Sequence, residues 1–126
     1  MNGSLRIDVY PPSEALPEVT QIALEGRLDA TTVAQLEKAL DLALEALTGS
    51  SPKAALLIDM QGLTYVSSSG LRVLLSTRAT TRRREIRLIL CTLSLHVREV
   101  FDLVGFSALF EIYDTTDSAI TALRQS

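Results

Sequence analysis

Leu56-Leu57-Ile58-Asp59-Met60-Gln61-Gly62-Leu63-Thr64-Tyr65-Val66-Ser67-Ser68-Ser69-Gly70-Leu71 joins an apolar run to three consecutive hydroxyls. The run begins at Ala54 and is broken only by Asp59, which predicts a central strand buried on both faces. Gln61-Gly62 reads as a turn, with Leu63 to Val66 a brief extension. A helix is expected from near Ser68 to about Arg83, with Leu71, Leu74 and Leu75 pointing inward. One serine there serves as an N-cap. Three exceed what capping requires. In open α/β sheets ligands meet the carboxyl ends of strands, and helix N-termini favour anionic groups. Ser67, Ser68, Ser69 and Gly70 are therefore the candidate site, with simple capping as the competing reading.

The flanking sequence supplies the remaining elements. Leu5, Ile7 and Val9 alternate with polar residues as in a half-buried strand, which Pro11-Pro12 ends. Ile22, Leu24 and Leu28 predict a second strand over Thr20 to Leu28, antiparallel to the first. Val33, Leu36, Leu40, Ala43 and Leu47 form a helical stripe, with Thr32 and Gln35 fitting a capping box and Gly49-Ser50-Ser51-Pro52 as the stop. Ile86, Leu88 and Leu90 alternate as a strand. Val97, Val100, Phe101 and Val104 form a third helical stripe, closed by Gly105 as a left-handed cap. Phe110 and Ile112 suggest a short edge strand. Thr116 to Arg124 reads as a last helix with Ile120 and Leu123 inward. The order β-β-α-β-α-β-α-β-α implies a single α/β domain over 1–126, with a mixed β-sheet, four helices and right-handed crossovers.

Composition narrows the functions. The chain has 126 residues, 47% apolar and 21% charged, with a net charge of -3. That is one ordinary globular domain with no bulk attraction to phosphate backbones or anionic membranes. One cysteine, Cys91, precludes an internal disulfide, and one histidine, His96, argues against a histidine-based zinc site. No metal and no cofactor is expected. Met1 to Ser4 shows no targeting pattern, no apolar stretch could span a bilayer, and the polar ends at Met1 and Ser126 read as natural termini. A cytoplasmic protein is the expectation, which also suits the cysteine usage.

At the serine run the chain resembles the STAS domain family (sulfate transporter and anti-sigma-factor antagonist). Asp59 followed by Ser67-Ser68-Ser69-Gly70-Leu71 matches that family's aspartate-ended strand, short loop and Ser-Ser/Thr-Gly-Leu helix start. Glu25-Gly26-Arg27-Leu28-Asp29 is similar to its Gly-x-Leu/Ile-Asp. Val100-Phe101-Asp102-Leu103-Val104-Gly105-Phe106, followed by Leu109-Phe110-Glu111-Ile112-Tyr113-Asp114, is similar to its late helix, glycine and short strand. The resemblance implies an anti-sigma-factor antagonist in a partner-switching cycle. The unmodified antagonist binds an anti-sigma factor of the serine kinase type, freeing a sigma factor for transcription. Phosphorylation releases the antagonist, and a phosphatase resets it. By position the acceptor is Ser68. Asp29, Asp59, Ser67, Ser69, Gly70 and Arg72 are expected to line the pocket. The best understood switching members have aspartate before the acceptor where this chain has Ser67, so the acceptor is one of three adjacent hydroxyls. The resemblance is compatible with a monomer or weak homodimer.

Other residues carry plainer readings. Arg72, Arg78, Arg82, Arg83, Arg84 and Arg87 are six of the 12 basic residues. They form either a solvated face or a docking face for an acidic partner. Direct nucleic-acid binding is not expected, because no aromatic interleaving accompanies the charge. Cys91 reads as a small buried hydrophobe, His96 as an exposed residue, and Tyr65 as core or pocket rim. An enzyme is not expected. A serine hydrolase would need a G-x-S-x-G elbow and a histidine base, and no Gly-Lys-Ser/Thr phosphate loop is present. The alternative to the switch is a STAS binding or scaffold module that is not phosphorylated.

Overall fold

The computed structural model describes residues 4–125, so the polar ends at Met1 and Ser126 and most of the segment read for a targeting pattern lie outside the described residues. The elements are β1 (Leu5–Tyr10), β2 (Val19–Leu28), α1 (Val33–Leu47), β3 (Ala55–Val66), α2 (Ser68–Arg83), β4 (Arg87–Cys91), α3 (Leu95–Val104), a 3-10 turn (Phe106–Ala108), β5 (Glu111–Tyr113) and α4 (Thr116–Arg124). One five-stranded sheet runs in the order β1-β2-β3-β4-β5. β1 pairs antiparallel with β2, and every later pair is parallel, as the helical crossovers require. The mixed sheet, the four helices and the element order agree with the sequence reading.

The two faces of the sheet bury different clusters. Leu36, Leu40 and Leu44 of α1, Leu74 of α2, and Val97 and Phe101 of α3 pack with Leu24, Leu28, Leu56, Ile58, Met60, Leu63 and Val66. Phe101, Phe106 and Phe110 extend that core as a triad with centroids 5.3 to 5.9 Å apart. On the opposite face Ala119, Ile120 and Leu123 of α4 cover Val19, Ala55, Leu57, Ile89 and Cys91. Both faces of β3 and β4 are thus covered, which explains the continuous apolar run.

Gln61-Gly62 does not turn. It lies inside β3, which runs unbroken to Val66. The register explains how. Ala23 pairs with Asp59 and Glu25 with Gly62, so two steps of β2 match three of β3. Gly26 pairs with Leu63 and Arg27 with Tyr65, which adds a second extra residue. Each bulge displaces the alternation by one. Met60, Leu63 and Val66 therefore share the core face at intervals of three. Gly62 fits because a Cβ there would lie 2.9 Å from Glu25 Cβ.

Four smaller expectations are corrected. The Thr32–Gln35 capping box does not form, because both side chains have other partners. Thr32 Oγ1 donates to the Arg27 carbonyl (2.9 Å) and accepts from Asp29 N–H (2.9 Å), while Gln35 Nε2 donates to the Leu5 carbonyl (2.8 Å). Leu75 and Val104 face outward, at the edges of their stripes. Phe110 precedes β5 and is buried in the core, packed on the 3-10 turn. β4 does not alternate, since Ile89, Leu90 and Cys91 are all fully buried. Gly105 takes the left-handed conformation (φ 83°) expected of it.

Candidate functional site

The serine run occupies the corner where β3 becomes α2. Ser67 is extended (φ -91°, ψ 175°), and its N–H donates to the Leu28 carbonyl at the end of β2 (2.9 Å). Its Oγ accepts from Gly70 N–H (3.3 Å), and its carbonyl takes the first helical bond from Leu71 N–H. Ser67 is thus the N-cap of α2. Ser68, the first helical residue, is exposed and makes no side-chain hydrogen bond to a described residue. Ser69 is half-buried, and Gly70 is buried. A Cβ on Gly70 would lie 2.7 Å from Leu28 Cγ and 2.9 Å from both Leu28 Cδ2 and Val66 Cγ2. The glycine lets α2 press directly onto the ends of β2 and β3, which fixes where the serines emerge.

Asp29 follows Leu28, the residue that pairs with Val66 and holds Ser67. The structure therefore brings Asp29 and the serine run to the same corner. Asp29 Oδ1 accepts from Thr31 N–H (2.9 Å) and from Thr31 Oγ1 (2.6 Å), and Oδ2 lies 3.6 Å from Arg27 Nε. These bonds, with Thr31 foremost, hold the Asp29 carboxyl below the usual aspartate range, so it is ionised at neutral pH.

Nothing in the sequence singles out Arg27. Its register partner is Tyr65, and its guanidinium carbon sits 4.0 Å above the Tyr65 ring. Tyr65 in turn stacks on His96 of α3, with centroids 6.2 Å apart and planes inclined by 11°. Asp29, Arg27, Tyr65 and His96 make one continuous rail beside the corner. Tyr65 is half-buried, and His96 is exposed as expected. The Arg27–Tyr65 link follows from the strand register, and the Tyr65–His96 link from the packing of α3 beside β3.

Arg72 stands one turn along α2 from Ser68. It lines an open groove of about 610 Å³ between α1 and α2, together with Val33, Glu37, Ser69 and Leu75. Its neighbours in the arginine run are more engaged. Arg78 Nε donates to the Leu109 carbonyl (3.0 Å), Arg84 Nη1 to Thr48 Oγ1 (3.3 Å), and Arg87 grips Glu111 through two bonds (3.0 and 2.5 Å). The run is thus no single docking face. Three of its members tie α2 and β4 to other elements.

Asp59 is not brought to the serines. Its Oδ1 accepts from Gln61 N–H (2.9 Å), and its Oδ2 faces Thr116 Oγ1 of α4 (3.5 Å). It pairs with Ala23, five β2 residues before Leu28. At about 3.3 Å each, those steps put it roughly 17 Å from the Val66 end of the strand. Nearby, Cys91 is fully buried, and burial pushes its thiol above the ordinary value. Among the described residues no group of three or more His, Cys, Asp or Glu is placed to hold a metal ion, and no helix is long and apolar enough to cross a membrane.

The architecture has counterparts among known proteins. The STAS domain family profile matches residues 10–119. The Bordetella bronchiseptica protein BtrV, named as an anti-sigma factor antagonist, is 34% identical over 101 residues, covering 80% of this chain and 83% of BtrV. Among solved structures, an anti-sigma factor antagonist from Mycobacterium paratuberculosis superposes with a TM-score of 0.77 at 24% identity, covering 98% of this chain and 99% of that one. The Bacillus cell fate determinant SpoIIAA in its phosphorylated form gives a TM-score of 0.68 at 22% identity, covering 94% and 99%. The chain belongs to the STAS domain family, within the group that carries the anti-sigma factor antagonists.

Proposed function

We propose that this chain is a non-catalytic antagonist that binds an anti-sigma factor around the start of α2 and is switched off by phosphorylation of Ser68. The observation that carries this reading is the unequal use of the three hydroxyls. Ser67 is consumed as a cap, Ser69 is half-buried at the groove, and Ser68 is exposed with an uncommitted side chain. These differences support Ser68, rather than Ser67 or Ser69, as the acceptor.

The chemistry is a phosphoryl transfer in which the partner is the kinase. Ser68 Oγ attacks the γ-phosphorus of ATP, the bond from that phosphorus to the bridging oxygen breaks, ADP leaves, and the hydroxyl proton passes to a base on the partner. The product carries about -1.5 to -2 additional charges. At a helix N-terminus that charge does not unfold its own domain. Inside a packed interface it must be desolvated. A loss of about 2.7 kcal/mol there weakens binding about a hundredfold. A phosphatase restores the hydroxyl by hydrolysis, and the cycle runs in the cytoplasm, freeing a sigma factor for transcription when the hydroxyl is bare.

The test is calorimetric titration against each anti-sigma-type serine kinase encoded in the same genome. The unmodified chain and Ser68→Ala bind one of them. The chain carrying phosphoserine at 68 binds that partner about a hundredfold more weakly. Equal affinity of the modified and unmodified chains would replace the switch by a constitutive scaffold, and failure of the unmodified chain to bind any of these kinases would remove the antagonist reading.

A further inference from the structure

Arg72 is an exposed arginine that makes no hydrogen bond or ion pair with any described residue. It lies four residues after Ser68 on α2. Helical geometry makes residues i and i+4 neighbours, and side chains lean toward the N-terminus of their helix. The Arg72 guanidinium can therefore fold back over Ser68. The first turn of α2 contains no acidic residue to compete for it, and Glu37 across the groove does not approach within ion-pair distance.

We propose that Arg72 is the internal counter-ion of a phosphate on Ser68, and that phosphorylation withdraws this arginine from the α1–α2 groove. The inference rests on the reading of Ser68 as acceptor and adds a second arm to the switch. A guanidinium pairs with phosphate oxygens through two parallel N–H bonds, which an ammonium cannot reproduce. Before modification, Arg72 presents a positive charge at the mouth of the groove beside Val33 and Leu75. After modification that charge turns back toward residue 68, and Glu37 is left without a cation opposite it. A partner that met an arginine in the groove then meets a carboxylate and a phosphate. The same event thus adds negative charge at the corner and removes positive charge from the adjoining groove.

The experiment uses the full chain with phosphoserine placed at 68 by chemical or translational incorporation, so that no kinase is needed. The second ionisation of the phosphate is followed by phosphorus NMR in the chain as it stands and in Arg72→Gln and Arg72→Lys. The dianion is favoured by a paired cation. Its acid dissociation constant is therefore expected to be roughly two- to fivefold larger in the parent than in Arg72→Gln, the size of an i, i+4 ion pair reinforced by the second phosphate charge. Arg72→Lys should recover part of that difference, and added salt should shrink it. The Arg72 Nε–H resonance should move on phosphorylation, while that of Arg78 does not. Equal dissociation constants in all three proteins, or an unmoved Arg72 resonance, would overturn the clasp. These results are independent of the cell. Absence of phosphate from Ser68 in vivo would instead strike the acceptor reading, whatever the titration shows.

Discussion

Gly70→Ala should destabilise the protein, although alanine is the better helix former. In an unobstructed helix interior the exchange gains about 1 kcal/mol. Here the new methyl would lie 2.7 Å from Leu28 Cγ and 2.9 Å from both Leu28 Cδ2 and Val66 Cγ2. Leu28 is fully buried and Val66 is 4% exposed, so neither can swing into solvent. Overpacking of this kind costs about 1–3 kcal/mol. The difference is a net loss of about 1 kcal/mol. The sign can be reversed by design. Leu28→Ala alone costs about 2–5 kcal/mol through the cavity it leaves. In that background two of the three close contacts are gone and the methyl fills space, so adding Gly70→Ala should cost nothing or stabilise. Urea unfolding followed by far-ultraviolet circular dichroism measures all four proteins. A Gly70→Ala protein as stable as the parent, or a loss undiminished in the Leu28→Ala background, would refute the argument that contact with the strand ends dictates the glycine.

Further expectations concern the cap, the core, the β4–β5 ion pair and the thiol. Ser67→Ala should cost about 1 kcal/mol in the same unfolding assay, since the hydroxyl satisfies Gly70 N–H. Phe101→Ala should cost about 3–5 kcal/mol, because its ring is fully buried against Phe106 and Phe110. The Arg87 guanidinium holds the Glu111 carboxyl below its ordinary range. The stability this pair contributes is therefore present above the unfolded value, about 4.3, and is lost as the pH falls through the lower folded value. The pair's side chains are 34% and 35% exposed, so solvent screening leaves about 1 kcal/mol or less, and Glu111→Gln should flatten that part of the acid unfolding profile. Cys91 should resist an aromatic disulfide reagent in the folded protein and react freely in urea, because it is fully buried and its thiol is pushed up.

The apolar periods made most of the fold legible. Leu36, Leu40 and Leu47 sit where a helical stripe puts them, and the run from Ala54 needs covering on both faces, which α4 and the other helices supply. What escaped the sequence were features that depend on pairing. Glycine after glutamine reads as a turn, yet a bulged β3 absorbs Gly62 because β2 approaches too closely there for a side chain. Thr32 and Gln35 match a capping pattern, but the Arg27 and Leu5 carbonyls, brought near by tertiary structure, compete for the same donors. At the site, Ser67 to Gly70 was legible because hydroxyls and a glycine at a strand-to-helix corner have a local meaning. Arg27 was not, because its link to Tyr65 exists only across the parallel ladder. The family resemblance, with a strand read as ending near Asp59, puts that carboxylate by the pocket, and the continuation of β3 carries it away.

The most direct test of the central claim is intact-protein mass spectrometry of the parent and of Ser68→Ala, each isolated from its native cell. The account predicts a single added phosphate on the parent and none on Ser68→Ala. A phosphate that survives in Ser68→Ala, or one that never appears on the parent under any growth condition, would contradict it.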